Sequence, residues 1–237
     1  MSIILRVDVD KPYGNSTLLR KIVSKIEEDY ITYPLLSRKM YLSHLIRFLK
    51  FCNSNNVPSI LYHRHCTIPD KKVLELIKIG GHKIGLHAEN TRNFNTFKDE
   101  LERFKEKVFP MQVDSFSKHG SGNLKLGKYH YAPFEPEKYL EWAKKLDVKF
   151  ISGNDIAEKA DDLYPVNNYF SKIFWVERPY RSSHFYELDN LIDAAKSNDV
   201  VVLIHPCNFD STQEVFDDFT KLINLAKIKN VAWKVSL

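Results

Sequence analysis

Long apolar runs are missing from this chain of 237 residues. A membrane-spanning helix needs roughly 20 consecutive apolar residues, and the charges scattered along the sequence leave no such stretch. Cysteine is scarce. Cys52, Cys66 and Cys207 form no CxxC pair and leave an odd count, so no disulfide framework is expected and a reducing compartment suits the chain. Nor is there a charged segment followed by an apolar one at the start, because a strand pattern already begins at Ile3; the chain reads as cytoplasmic. Charge of one sign is not concentrated either. The 35 basic and 30 acidic residues are intermingled, giving a net charge of +5 without the basic stripe that nucleic-acid binding wants. No nucleic-acid partner and no membrane span are expected. Proline and glycine form no rich linker, so residues 1–237 read as one domain, and 43% hydrophobic content suffices for a sizeable core.

What is present is an alternation. The runs "SIILRVDVD", "VPSILYH", "HKIGLH", "VDSFSKH", "VKFISG", "KIFWV" and "VVVLIH" read as strands, with "VAWKV" as a candidate eighth. Helical spacing lies between them, as in Phe97, Leu101, Phe104 and Val108, and again in Val215, Phe219, Leu222 and Ala226. Gly80-Gly81 reads as a helix C-cap, and "RKMYLSHLIRFLKF" as an amphipathic helix with His44 on its surface. Strand-helix alternation implies parallel strands joined by right-handed crossovers, and hence an α/β fold, an irregular (β/α) barrel of about seven strands. The polar segment 152–185 is expected to lie over the barrel mouth.

The polar residues fall at strand ends. Asp8 and Asp10 close the first strand, His63 and His65 follow the second, His87 ends the third, His119 the fourth and His205 the "VVVLIH" strand. Parallel α/β folds build their sites at these C-terminal ends. Two carboxylates on one strand face repel unless a cation or a proton intervenes, and converging imidazoles make a divalent metal the simplest cation. Neutralisation by Arg6 on the same face, or by Lys11, is the alternative.

In that order, "VDVDKP", "GGHKIGLH" and "VVVLIHP" resemble the motifs of the polysaccharide deacetylase superfamily, the chitooligosaccharide-deacetylase-like domain. The resemblance spans residue 3 to about residue 226 and implies metal-assisted hydrolysis of an acetyl group on a sugar. The "GLHAE" variant and the cytoplasmic start look most like the subset associated with surface-polysaccharide and O-antigen biosynthesis. The resemblance makes Asp8 the catalytic base, Asp10 and His87 metal ligands, and His205 the general acid. Where the H-x-x-x-H motif has its second histidine, residue 91 is a threonine, so His119 is expected as the third ligand, with Glu89 in reserve. The motif arginine is also absent from its usual place, and Arg178 or Arg181 in "ERPYR" would substitute. Zinc is the default ion for Asp and neutral imidazoles, and the substrate is expected to be an amino sugar. A catalytically silent carbohydrate-binding relative is the second reading.

Other features are weaker. "GNLKLGKY" matches part of a phosphate loop but ends in Tyr129, where Ser or Thr should hold magnesium. His63-Arg64-His65 forms an H-x-H that would suit a metal or line a pocket. Cys66 and Cys207 read as inert, and Phe170, Phe174, Trp175 and Tyr180 as packing residues or a sugar-stacking wall. No role is assigned to His82, His130 or His184.

Overall fold

Strands and helices alternate in the computed structural model, which describes residues 1–9, 18, 19, 22, 26, 41–120, 126–165, 169–181, 185 and 187–235. Asp10, Lys11, His184 and the start of the glycine-lysine loop at 122–125 lie outside the described residues. The order is β1 (Ser2–Val9), α1 (Ser43–Ser54), β2 (Ile60–His63), α2 (Lys71–Ile79), β3 (Lys83–Ala88), α3 (Phe94–Val108), β4 (Val113–Lys118), α4 (Pro136–Lys145), β5 (Phe150–Ile156), β6 (Tyr169–Trp175), α5 (Leu188–Ser197), β7 (Val200–Ile204), α6 (Pro206–Ser211), α7 (Gln213–Ile228) and β8 (Ala232–Lys234). No helix among the described residues is long and apolar enough to cross a membrane.

All the strand pairs are parallel. The order β2-β3-β4-β5-β6-β7-β1 closes on itself through β1 and β2, which gives the expected barrel of seven strands. Its irregularity sits at the seam. The upper half of β1 pairs with β2, from Arg6↔Ile60 to Val9↔His63, whereas its lower half pairs with the three-residue β8, from Ser2↔Ala232 to Ile4↔Lys234.

Period-two alternation sorts the side chains into two cores. Ile3, Leu5, Val7 and Val9 of β1 face outward and pack with the helices in the larger cluster. Phe97, Leu101, Phe104 and Val108 all belong to it, as do Val215, Phe219, Leu222 and Ala226, so the helical spacing in the sequence marks the faces that are buried. Ile4, Ile60, Tyr62, Phe150, Phe170, Ile173, Val201 and Leu203 fill the barrel interior. Above that apolar plug the inner face becomes polar, since β1 continues from Ile4 to Arg6 and Asp8. Gly81 takes φ +64° just after α2, a left-handed conformation in which a side chain would be strained, and turns the chain into β3.

Two expectations need correction. The described part of segment 152–185 is barrel wall as much as cover: β5 runs on to Ile156 and β6 occupies Tyr169–Trp175, so the alternating apolar pattern prevails over the local polarity. His44 is not a surface residue. It is 8% exposed because α6 packs beside α1, and its Nδ1 lies 2.6 Å from Asp210 Oδ2.

Candidate active site

The polar upper interior is organised around one arginine. Arg6 is fully buried and two residues before Asp8, hence on the same strand face. Its Nε donates to Asp8 Oδ1 at 2.8 Å and its Nη2 to Oδ2 at 2.6 Å, a two-pronged pair. The remaining donors reach across the barrel to β5, to Ser152 Oγ at 3.0 Å, Gly153 O at 2.5 Å and Asn154 Oδ1 at 2.7 Å. Of the two ways to offset an acidic strand end, the neutralising arginine is therefore in place for Asp8. Burial pushes the Asp8 carboxyl up, but Arg6, then His87 and His205, outweigh it and hold it below its ordinary value. Asp8 is ionised at neutral pH.

His87 and His119 close the other side. His87 is held by Ser117 of β4, with Nδ1 at 2.7 Å from Oγ, and its Nε2 lies 3.6 Å from Asp8 Oδ2. The His119 ring stands edge-on to it at 4.9 Å between centroids. The chain around His119 is pinned by residues that carried no assigned role. His130 accepts from Leu126 N–H through Nδ1 and donates through Nε2 to His119 O at 2.7 Å. The buried Lys118 amine donates to His119 O, Gly120 O and Ala132 O, at 3.1, 2.8 and 3.3 Å, and burial lowers its pKa to about 8. Asn154 joins the two sides, accepting from Arg6 and donating to Lys118 O at 2.8 Å.

His205 follows β7. Val7 pairs with Ile204, so Asp8 and His205 leave neighbouring strands at the same level. The backbone N–H of His205 donates to Glu177 Oε1 at 2.8 Å and its Nδ1–H to the same oxygen at 2.9 Å, which fixes the tautomer with the basic lone pair of the neutral ring on Nε2. Trp175 lies beside the ring, 5.8 Å away at 31°.

The other predicted residues occupy different places. Glu89 is buried at the mouth, with Oε1 on Arg64 Nε and Oε2 3.3 Å from His65 Nδ1. Burial would raise its pKa, but Arg64 and His65 hold it far below the usual carboxylate range. His63 follows Tyr62 on the strand and so takes the outward face; its Nδ1–H donates to Thr67 O at 2.6 Å and burial lowers its pKa to about 4. Thr91 is buried against Tyr139 of α4, with 3.3 Å between the oxygens. Arg178 and Arg181 both pair with Asp218 of α7 at 2.8 Å, and Arg181 also donates to Trp175 O. The guanidinium on the Asp8 carboxylate thus comes from Arg6.

Glu100 of α3 supports this loop from behind, accepting the backbone N–H groups of Glu89 at 3.0 Å and Asn90 at 2.8 Å. Burial, then the Glu89 charge, pushes its pKa up to about 7 from 4.5. A folded pKa above the unfolded one contributes stability that is present below the unfolded value and lost as pH rises through about 7. Carbon-13 NMR should find the Glu100 carboxyl titrating near pH 7, and a midpoint below about 5 would contradict this environment.

Of the three expected metal ligands, His87 and His119 are described and Asp10 lies outside the described residues. Among the described residues no group of three or more His, Cys, Asp or Glu is arranged to hold a metal ion. The donor chemistry nevertheless fits one. Two buried imidazoles lie side by side, one oriented through Nδ1 by a hydroxyl, as metal-binding histidines commonly are.

No family model matches the sequence, and no curated protein matches it. Solved structures do. The catalytic domain of peptidoglycan N-acetylglucosamine deacetylase from Eubacterium rectale is similar over 99% of this chain and 87% of its own, with a TM-score of 0.51 and 14% identity. A putative glycoside hydrolase/deacetylase from Parabacteroides distasonis is similar over 98% of this chain and 68% of its own, with a TM-score of 0.53 and 9% identity. At such identities the likeness speaks for architecture, and the chain has the (β/α) barrel fold of these deacetylase domains.

Proposed function

We propose that the protein is a hydrolase that removes an N-acetyl or related acyl group from an amino sugar. The observation that carries this reading is the facing pair at the barrel mouth: an ionised carboxylate, Asp8, clamped by Arg6, and a histidine, His205, whose tautomer is set by Glu177. A carboxylate that stays charged can take a proton from the attacking water, and a histidine on the neighbouring strand can return one to the departing amine. Each group has a separate buried anchor, so the two stay apart while acting on one bond. Arg6 orients the Asp8 oxygens, and Glu177 stabilises the positive charge of protonated His205.

A divalent ion, zinc by preference, would be held by Asp10, His87 and His119, and when bound it supplies Lewis acidity to the acyl carbonyl and the attacking water. Glu89 and His65 then border the substrate. The "GLHAE" variant of the motif supports a place in surface-polysaccharide biosynthesis, including O-antigen assembly. The second reading, a non-catalytic carbohydrate-binding protein, has one observation on its side: Arg6 occupies both oxygens of Asp8.

Elemental analysis of protein prepared without chelator tests the metal assignment. About one divalent ion per chain is expected, with most of it lost in Asp10→Ala and in His87→Ala, because removing one of three ligands leaves a weak site. Stoichiometric metal in either folded variant would contradict it. Acetate release from N-acetylated amino sugars by the metal-loaded wild type tests the reaction, and none across a broad panel would leave the binding reading.

A further inference from the structure

The end of the barrel away from the mouth carries a pattern of its own. In a parallel barrel the helices return against the strands, so helix C-termini and strand starts share this end. Outside residues 1–26, the three most exposed large apolar side chains among the described residues all lie there: Phe109 at 80%, Ile79 at 75% and Ile228 at 71%. Ile79 and Ile228 are the last residues of α2 and α7, and Phe109 directly follows α3. Tyr129, Tyr180 and Ile156, on the side of the mouth, are no more than 48% exposed. Single apolar residues on a surface are ordinary, but these three are not scattered.

Charge gathers at the same end. The last turns of α2, α3, α4, α5 and α7 all contain lysine, with Glu106 the one acid among them. Three of these lysines pair with an acid one turn back, Lys105 with Glu102, Lys145 with Glu141 and Lys196 with Asp193. Lys78, Lys107, Lys144 and Lys227 make no hydrogen bond or ion pair among the described residues, and all four are exposed. The loops and strand starts that follow are balanced, with Lys83, Lys149 and Lys229 against Asp114, Asp147 and Asp199. The last turn of α1, which packs between α2 and α6, has no charged residue.

A lysine near a helix C-terminus offsets the negative end of the dipole, which accounts for part of this charge. It gives no reason for an isoleucine or a phenylalanine to stand in water beside it, as in Lys78-Ile79, Lys107-Val108-Phe109 and Lys227-Ile228. Each apolar tip stands on a different helix with its own lysine. A protein interface gathers its apolar residues into a contiguous core, and a nucleic acid would satisfy the lysines alone. A bilayer surface takes single apolar side chains among its headgroups and meets lysines with lipid phosphate.

We infer that this end of the barrel docks on a membrane surface containing anionic phospholipid, with Ile79, Phe109 and Ile228 entering the headgroup region and Lys78, Lys107 and Lys227 against the phosphates. The inference does not rest on the proposed function. It turns the mouth away from the bilayer, toward the aqueous side. The test is sedimentation of the full chain with vesicles of phosphatidylcholine alone and of an equal mixture of phosphatidylcholine and phosphatidylglycerol, at low and high salt. Binding to the mixed vesicles should exceed that to phosphatidylcholine about 10-fold or more, and should fall as salt is raised. Two variants separate the contributions: Phe109→Ser with Ile228→Ser, and Lys78→Gln with Lys107→Gln and Lys227→Gln. Every one of these positions is exposed, so both variants are expected to fold, which circular dichroism checks. Each should bind the mixed vesicles about 10-fold or more weakly than wild type. No binding to the mixed vesicles, equal binding to phosphatidylcholine, or wild-type binding by either folded variant would overturn the inference, as would duplex DNA bound as tightly as the mixed vesicles.

Discussion

Replacing Arg6 by Met is expected to destabilise the protein by about 3–5 kcal/mol, the usual cost of removing one partner of a buried ion pair. Arg6 is fully buried and Asp8 is 3% exposed, so the substitution strands a carboxylate where water cannot solvate it. It also leaves Ser152 Oγ, Gly153 O and Asn154 Oδ1 without a shared donor. Denaturant unfolding of Arg6→Met and of Arg6→Met with Asp8→Asn separates these contributions, because the double variant no longer buries an unpaired charge and should recover much of the loss. The pH dependence has a definite sign. The Asp8 pKa is lowered in the fold, so the pair's stabilisation is present above the unfolded value near 3.8 and is lost as pH falls below it; wild type and Arg6→Met should converge in acid. A single variant within about 1 kcal/mol of wild type at neutral pH would show that the pair is not buried as described.

The largest effect on turnover is expected at Asp8 and His205. Asp8→Asn and His205→Ala should each lower acetate release about 10²-fold or more, the scale for losing a general base or acid, while metal content stays near that of wild type. The two differ in stability. His205→Ala removes a ring near the mouth, whereas Asp8→Asn leaves Arg6 with a neutral partner, so circular dichroism and unfolding must accompany the rates. Near wild-type turnover in either metal-loaded, folded variant would refute the assigned role.

The fold was largely legible because its information is periodic. Strand alternation and the 97, 101, 104, 108 spacing of α3 mark buried faces by repetition, and repetition survives in a linear string. The ends of the strands were legible too, since charged residues after apolar runs are costly unless a site wants them. Partnership was less so. Arg6 and Asp8 are two residues apart and their pairing was open to view as one of two alternatives, but the sequence carries no sign that Arg6 reaches Asn154, 148 positions on, or that His205 meets Glu177, 28 positions before it. His130 and Lys118 went unread for the same reason. They act by holding the backbone of His119, and backbone acceptors have no residue-type signature.

The shared edge of β1 sets a timetable for assembly. This strand precedes all of its neighbours in the chain, which are β2, β7 and β8, the last of which begins at Ala232. Until β7 and β8 are synthesised, Ile3 to Leu5 have no strand to pair with, and closure must bridge nearly the whole length of the chain. The Arg6–Asp8 pair, being local, can form before that happens. Chain closure, and with it the meeting of Asp8 and His205, is therefore a late event of folding, and stalled nascent chains ending before β7 should hold β1 in a protease-sensitive state.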